Sequence, residues 1–212
     1  MTRSALLVCW NAQQLGEKRK LNNQRIGQFS IVTPILPEVP GHSPRKYRNE
    51  LGEQIFYNHM PATEICQKIG SDAFYNMVRF CVEREPVEKC ISHFHMLRNS
   101  PLHNKNGSYQ KTWNEYVKAG NFPLDHMRYS APLNGKAKPL ITHFLRYDRL
   151  STDLPLLLEN LGISDFALNV RAKSEYSLNR LISAGEVSKR QRERIYRAFQ
   201  KTLEVTGIDW TE

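Results

Sequence analysis

The sequence predicts an α/β fold, a parallel sheet flanked by helices, on three observations. Met77-Val78-Arg79-Phe80-Cys81-Val82 is a near-continuous apolar run, the pattern of a strand buried on both faces of a parallel sheet. Pro86 then opens a helix that places Val87, Ile91, Phe94 and the stem of Arg98 on one stripe, ready to cover such a sheet. Leu140 to Tyr147 reads as a second strand, leading to a helix with Leu154, Leu157, Leu158 and Leu161 on one face. Gly162 stops that helix. Strands alternating with helices, without an internal repeat, make a layered α/β domain.

The remaining elements follow in chain order. Residues 1–27 are polar and irregular apart from Ala5-Leu6-Leu7-Val8-Cys9-Trp10, and carry a basic cluster at Lys18-Arg19-Lys20. The domain proper is taken as 28–212. Thr33 to Lys46 holds Pro34, Pro37, Pro40, Pro44 and Gly41, the composition of an extended loop. Pro61 opens a helix through about Ile69, with Ile65 and Ile69 four apart, and Gly70 ends it. Ser100 to Tyr109 is a polar loop. Thr112 is placed to cap a short helix, Trp113 to Lys118, stopped by Gly120. Ser188 with Gln191 forms a capping box for the last helix, whose buried stripe is Ile195, Ala198, Phe199, Thr202 and Leu203.

At 212 residues, with 40% hydrophobic and 24% charged residues, the chain has the composition of one globular domain with a sizeable core. Its net charge of +9 favours anionic partners: nucleotides, nucleic acid, acidic glycans or membrane headgroups. Cys9, Cys66, Cys81 and Cys90 show neither CxxC spacing nor histidines at ligand intervals, which argues against zinc; no metal site is expected. His93 and His95, two apart on a helix, point to different faces and make no metal pair. Free thiols on apolar faces fit a reducing cytoplasm. The apolar run at 5–10 is too short for a membrane span or a signal-peptide core. Asn106-Gly107-Ser108 reads as a turn.

The stretch richest in chemistry is Glu83-Arg84-Glu85-Pro86-Val87-Glu88-Lys89-Cys90-Ile91-Ser92. It sets a guanidinium, a helix N-terminus and a hydroxyl between one and two turns into the helix. Those groups hold phosphates in proteins. The plainer alternative is an arginine paired with Glu83 or Glu85, beside an inert helix serine. Lys89 fits either a place facing a nucleotide or one in solvent. The basic residues of the last helix, Lys189, Arg190, Arg194, Arg197 and Lys201, fit a solvated face or an acidic partner.

Three segments together resemble the PAPS-dependent sulfotransferase family. The unit Arg84–Ser92 is similar to its 3′-phosphate motif of strand, Arg, acidic or amide residue, Pro, then a helix carrying Ser. Phe144-Leu145-Arg146-Tyr147-Asp148-Arg149-Leu150, with the Leu-rich helix and Leu161-Gly162-Ile163, resembles its Arg-Tyr-Glu-Asp-Leu strand end. Tyr57-Asn58-His59-Met60-Pro61-Ala62 is similar to the segment entering the preceding helix. The likeness runs over roughly residues 55–206, and Thr206 to Trp210 is also in character.

The resemblance implies a P-loop-kinase-like sheet. It also implies 3′-phosphoadenosine 5′-phosphosulfate (PAPS) as sulfate donor and a hydroxyl or amine acceptor, on a carbohydrate or a small molecule. Arg84 and Ser92 would hold the 3′-phosphate, Tyr147 would lie near the adenine, and Arg171 and Lys173 would add basic contacts. His59 is the candidate base for the acceptor proton. Trp113, Asp125 and Tyr129 are placed on the acceptor side. No metal is required.

The chain departs from the family in two places. Glu85 stands where Asp or Asn is common, and Glu is the poorer helix cap. Residues 1–35 contain no Lys-Thr/Gly-rich turn after a strand to hold the 5′-phosphosulfate. Leu15-Gly16-Glu17-Lys18-Arg19-Lys20 has neither a hydroxyl after its lysine nor a strand before it. A sulfotransferase-like protein that binds nucleotide without efficient transfer is therefore the alternative. A basic nucleic-acid-binding protein ranks below both, because no helix-turn-helix, zinc-finger or RNP signature is present.

Overall fold

The computed structural model describes the backbone at 8–11, 30–31, 46–48 and 54–57, and backbone with side chains at 59–101, 103–162 and 180–210. In chain order the elements are strands β1 (Val8–Asn11), β2 (Ser30–Ile31), β3 (Lys46–Arg48) and β4 (Gln54–Tyr57), then helices α1 (Ala62–Ile69) and α2 (Ser71–Tyr75). Strand β5 (Met77–Glu83) leads to α3 (Pro86–Asn99), α4 (Trp113–Ala119) and α5 (His126–Tyr129). Strands β6 (Ser130–Leu133), β7 (Lys136–Pro139) and β8 (His143–Arg146) precede a 3-10 turn (Tyr147–Arg149) and α6 (Leu150–Asn160). A second 3-10 turn (Ala184–Glu186) leads to α7 (Lys189–Thr206). The described residues divide into two compact units.

The first unit takes the elements up to β5 and from α5 to α6. It is a mixed α/β layer whose four-stranded sheet has the order β2-β1-β5-β8. β5 and β8 run parallel, pairing Val82 with Leu145 and Glu83 with Arg146. β1 lies antiparallel to both β2 and β5. Among the described strands the sheet is therefore parallel only where β5 meets β8, which corrects the expectation of parallel pairing throughout. The apolar run at 5–10 supplies part of β1, an element the sequence leaves unassigned because four residues carry too little periodicity to read.

β5 is buried on both faces, as its composition requires. Phe80 and Val82 join Leu145, Leu154, Leu157, Leu158 and Leu161 in the layer between sheet and α6. Each such Leu contributes roughly 1.5–3 kcal/mol by leaving water. On the alternate face Arg79 is buried and spends its guanidinium on backbone: Nε donates to the Leu140 carbonyl at 2.6 Å, and Nη1 donates to the carbonyls of Phe74 and Met77. The Phe74 ring lies 4.7 Å from it, so this arginine is a structural tie rather than a ligand group. β6 and β7 form a hairpin on Asn134 and Gly135, both at positive φ (50° and 73°), the geometry that Asn-Gly turns supply.

The second unit is helical, built from 84–125 and 180–210. α3, α4 and α7 enclose one core of Val87, Cys90, Ile91, Phe94, Trp113, Tyr116, Val117, Ile195 and Phe199. Its helix ends follow the sequence closely. Thr112 and Glu115 form a capping box on α4, Ser188 and Gln191 another on α7, and Gly120 and Gly207 close the same helices in the left-handed conformation. On α7 the buried residues are Ile195, Phe199, Thr202 and Val205; Ala198 and Leu203 are half-buried at the edge of the stripe.

Candidate functional site

The start of α3 is where the sequence placed its phosphate clamp, and its capping is unusual. Pro86 occupies the first helical position and has no N–H to give. Glu85 is the N-cap: its Oε2 accepts from the Glu88 amide at 2.7 Å. Its Oε1 accepts from the Tyr196 hydroxyl of α7 at 2.8 Å. Glu85 thus caps α3 as a shorter Asp or Asn would, because a second bond fixes the longer side chain. The Lys89 amide donates to the Glu85 carbonyl at 2.8 Å. With Pro86 silent and the Glu88 and Lys89 amides engaged, the first turn has little backbone left for an anion. Side chains must carry one.

Arg84 is the side chain positioned to do so. It lies just ahead of the cap, a quarter exposed, with Nη2 3.7 Å from Glu88 Oε2. That contact is near the outer limit of an ion pair and joins two partly exposed side chains, so it is worth little by itself. Ser92 is half-buried further along the same helix.

Beneath this surface runs a buried polar chain that the sequence did not reveal. Lys89 is 0% exposed, and its Nζ meets Asp125 Oδ2 at 2.9 Å, with the Phe199 ring 5.7 Å away. Next to it the Tyr116 hydroxyl lies 3.0 Å from His93 Nδ1 and bonds the Cys90 thiol. Burial pushes the Cys90 thiol up to about 12 and the His93 imidazole down to about 4, so both are neutral near pH 7. Burial also raises the Tyr116 phenol. Lys89 shares a helical face with Pro86 and His93, a signal visible in the sequence only if a lysine is allowed inside. Asp125, placed by sequence on the acceptor side, is the counter-ion of Lys89. Trp113 is stacked on Tyr116 at 5.3 Å, in the core.

The other sequence-predicted residues fall elsewhere. His59 belongs to the sheet unit, half-buried at a positive φ of 65°, and its carbonyl accepts from Arg128 Nη1 at 2.7 Å. A non-glycine residue in that region marks a constrained position. Tyr147 opens the 3-10 turn after β8 and is 48% exposed. Arg146 before it grips Asp148 with Nε at 3.2 Å and Nη2 at 2.9 Å, and these hydrogen bonds hold the Asp148 carboxyl below the usual range. Tyr129 is buried with its ring 5.4 Å from Phe144. Arg171 and Lys173 lie outside the described residues.

No family model, curated protein or solved structure matches the chain. Among the described residues no cluster of three His, Cys, Asp or Glu is arranged to hold a metal ion, and no helix is long and apolar enough to cross a membrane.

Proposed function

We propose that the chain is a sulfotransferase that takes its sulfuryl group from PAPS and delivers it to a hydroxyl or amine of a carbohydrate or small molecule. The observation that carries this reading is Arg84. A capped helix opens on Pro86, and the guanidinium ahead of it meets Glu88 through a long, partly exposed contact. A 3′-phosphate offers that guanidinium two oxygens at higher charge, a bidentate pairing that the 3.7 Å contact with Glu88 does not supply. Ser92 adds a neutral donor from the same helix. The roles of Tyr147 beside the adenine, of Arg171 and Lys173 as further cations, and of His59 as base rest on the resemblance alone.

In the reaction the acceptor oxygen or nitrogen forms a bond to sulfur as the bond from sulfur to the 5′-phosphate oxygen breaks. The acceptor proton passes to the base, and 3′-phosphoadenosine 5′-phosphate leaves with the electron pair. Such a transfer needs positioned cations and donors more than a covalent nucleophile. Binding without transfer is the second reading, favoured by the lack of a Lys-Thr/Gly-rich turn in residues 1–35.

Calorimetric titration with 3′-phosphoadenosine 5′-phosphate tests the shared first step. Wild-type protein is expected to bind, and Arg84→Ala to weaken binding roughly tenfold or more, the worth of a hydrogen-bonded charge. Affinity unchanged in Arg84→Ala overturns the site. Transfer of sulfate from radiolabelled PAPS to an acceptor panel then separates enzyme from binder.

A further inference from the structure

The contacts around Glu85 reach beyond α3. Tyr196 sits two turns into α7, and its hydroxyl is 2.8 Å from Glu85 Oε1. Glu85 Oε2 is 2.7 Å from the Glu88 amide, and the Glu88 carboxylate lies 3.7 Å from Arg84 Nη2. One chain of polar contacts therefore runs from α7 to the guanidinium that the proposed function assigns to the 3′-phosphate.

A glutamate alone is a weak cap, because its extra torsion must be frozen to reach the helix amides. Bonding both carboxylate oxygens removes that freedom. Tyr196 is well suited to supply the second bond. Burial and the neighbouring Glu85 raise its phenol, so it stays a neutral donor near pH 7. With the cap fixed, the start of α3 is fixed, and with it the backbone that carries Arg84, the residue just before the cap. A guanidinium carried on a fixed backbone loses less freedom on meeting a phosphate than one on a fraying helix start.

The geometry points to Tyr196 as a positioning residue of the nucleotide site: from α7 it locks Glu85 as the cap of α3 and so positions Arg84, the residue before that cap. This inference rests on the nucleotide reading of Arg84.

A double-mutant cycle on the affinity for 3′-phosphoadenosine 5′-phosphate tests it, using wild type, Tyr196→Phe, Glu85→Ala and the double variant. Thermal melts are run in parallel. Tyr196→Phe deletes one hydroxyl and is expected to weaken binding roughly three- to tenfold, less than the full worth of a hydrogen bond to a charged group because its effect on the nucleotide is indirect. In the Glu85→Ala background the same change is expected to have no further effect, because its route to Arg84 is already cut. If Glu85→Ala melts too low for titration, Glu85→Met, which keeps the side chain's length but neither oxygen, takes its place in the cycle. Equal affinity in wild type and Tyr196→Phe overturns the inference. So does the same fold-loss in both backgrounds, since Tyr196 then acts without Glu85. A wild-type protein that does not bind the nucleotide overturns the proposed function, and this inference with it.

Discussion

Lys89 shows how much one buried side chain decides here. A lysine without water is stable only if paired, and Asp125 lies 2.9 Å from it within the helical unit. Lys89→Ala leaves that carboxylate without its cation and is expected to cost about 3 kcal/mol in urea unfolding. Lys89→Met combined with Asp125→Leu is expected to recover most of it; a double variant as unstable as the single one contradicts this account. His93, beside the same pair, gives the pH dependence. Its folded value of about 4 lies below the ordinary 6.5, so between those values the unfolded chain binds more protons. Stability is then complete above about pH 6.5 and falls as the pH drops towards 4. His93→Gln is expected to flatten that slope in melts at roughly pH 7, 5.5 and 4.5, and an unchanged slope assigns it to other groups. Neither the buried Lys89 nor the half-buried His93 was legible as part of a polar cluster, because in isolation a lysine between Glu88 and Cys90 reads as solvated. Arg84 and Pro86 were legible because their meaning is local.

Local encoding also explains which elements the sequence revealed. α3, α4 and α7 carry their caps, stops and apolar stripes within a few residues, and each forms where those signals stand. The hairpin β6–β7 had its Asn134-Gly135 signal, but strands of four residues, exposed except at Ser130 and Ala131, left no alternation to notice. The direction of β1 had no local signal at all, since pairing is set by partners far along the chain, as Val8 with Phe80. The α4 cap offers a direct check of local encoding. The Glu115 amide donates to Thr112 Oγ1 at 3.3 Å while Glu115 Oε2 accepts from the Thr112 amide at 2.7 Å. The Thr112 amide and hydroxyl, both donating to Glu115 Oε2, hold the Glu115 carboxyl below its usual range. Thr112→Ala is expected to lower stability by about 1 kcal/mol, and Thr112→Ser to restore it. If chemical denaturation shows no loss in the alanine variant, the box does not stabilise α4.

At the scale of the whole molecule, the excess of 30 basic over 21 acidic residues must act on any anionic ligand, and it separates a nucleotide site from a nucleic-acid surface. A nucleotide bisphosphate engages a few cations at one place, so its affinity should weaken gradually as salt screens the field. A nucleic acid would neutralise many lysines and arginines at once and release counterions in proportion. Its affinity would then fall by orders of magnitude over a fourfold rise in salt. The exposed basic residues of α7, among them Lys189, Arg190 and Arg197, make that second behaviour physically available. Titrations of 3′-phosphoadenosine 5′-phosphate and of a single-stranded oligonucleotide at about 50 and 200 mM salt decide between them. The expected outcome is a severalfold loss for the nucleotide, still measurable at the higher salt, and no oligonucleotide binding left there. The Arg84→Ala variant should lose the residual nucleotide binding and leave the low-salt oligonucleotide binding almost unchanged, because one cation among many contributes little to a diffuse field. Oligonucleotide binding that survives the higher salt and falls with Arg84→Ala would instead make the start of α3 part of a nucleic-acid surface.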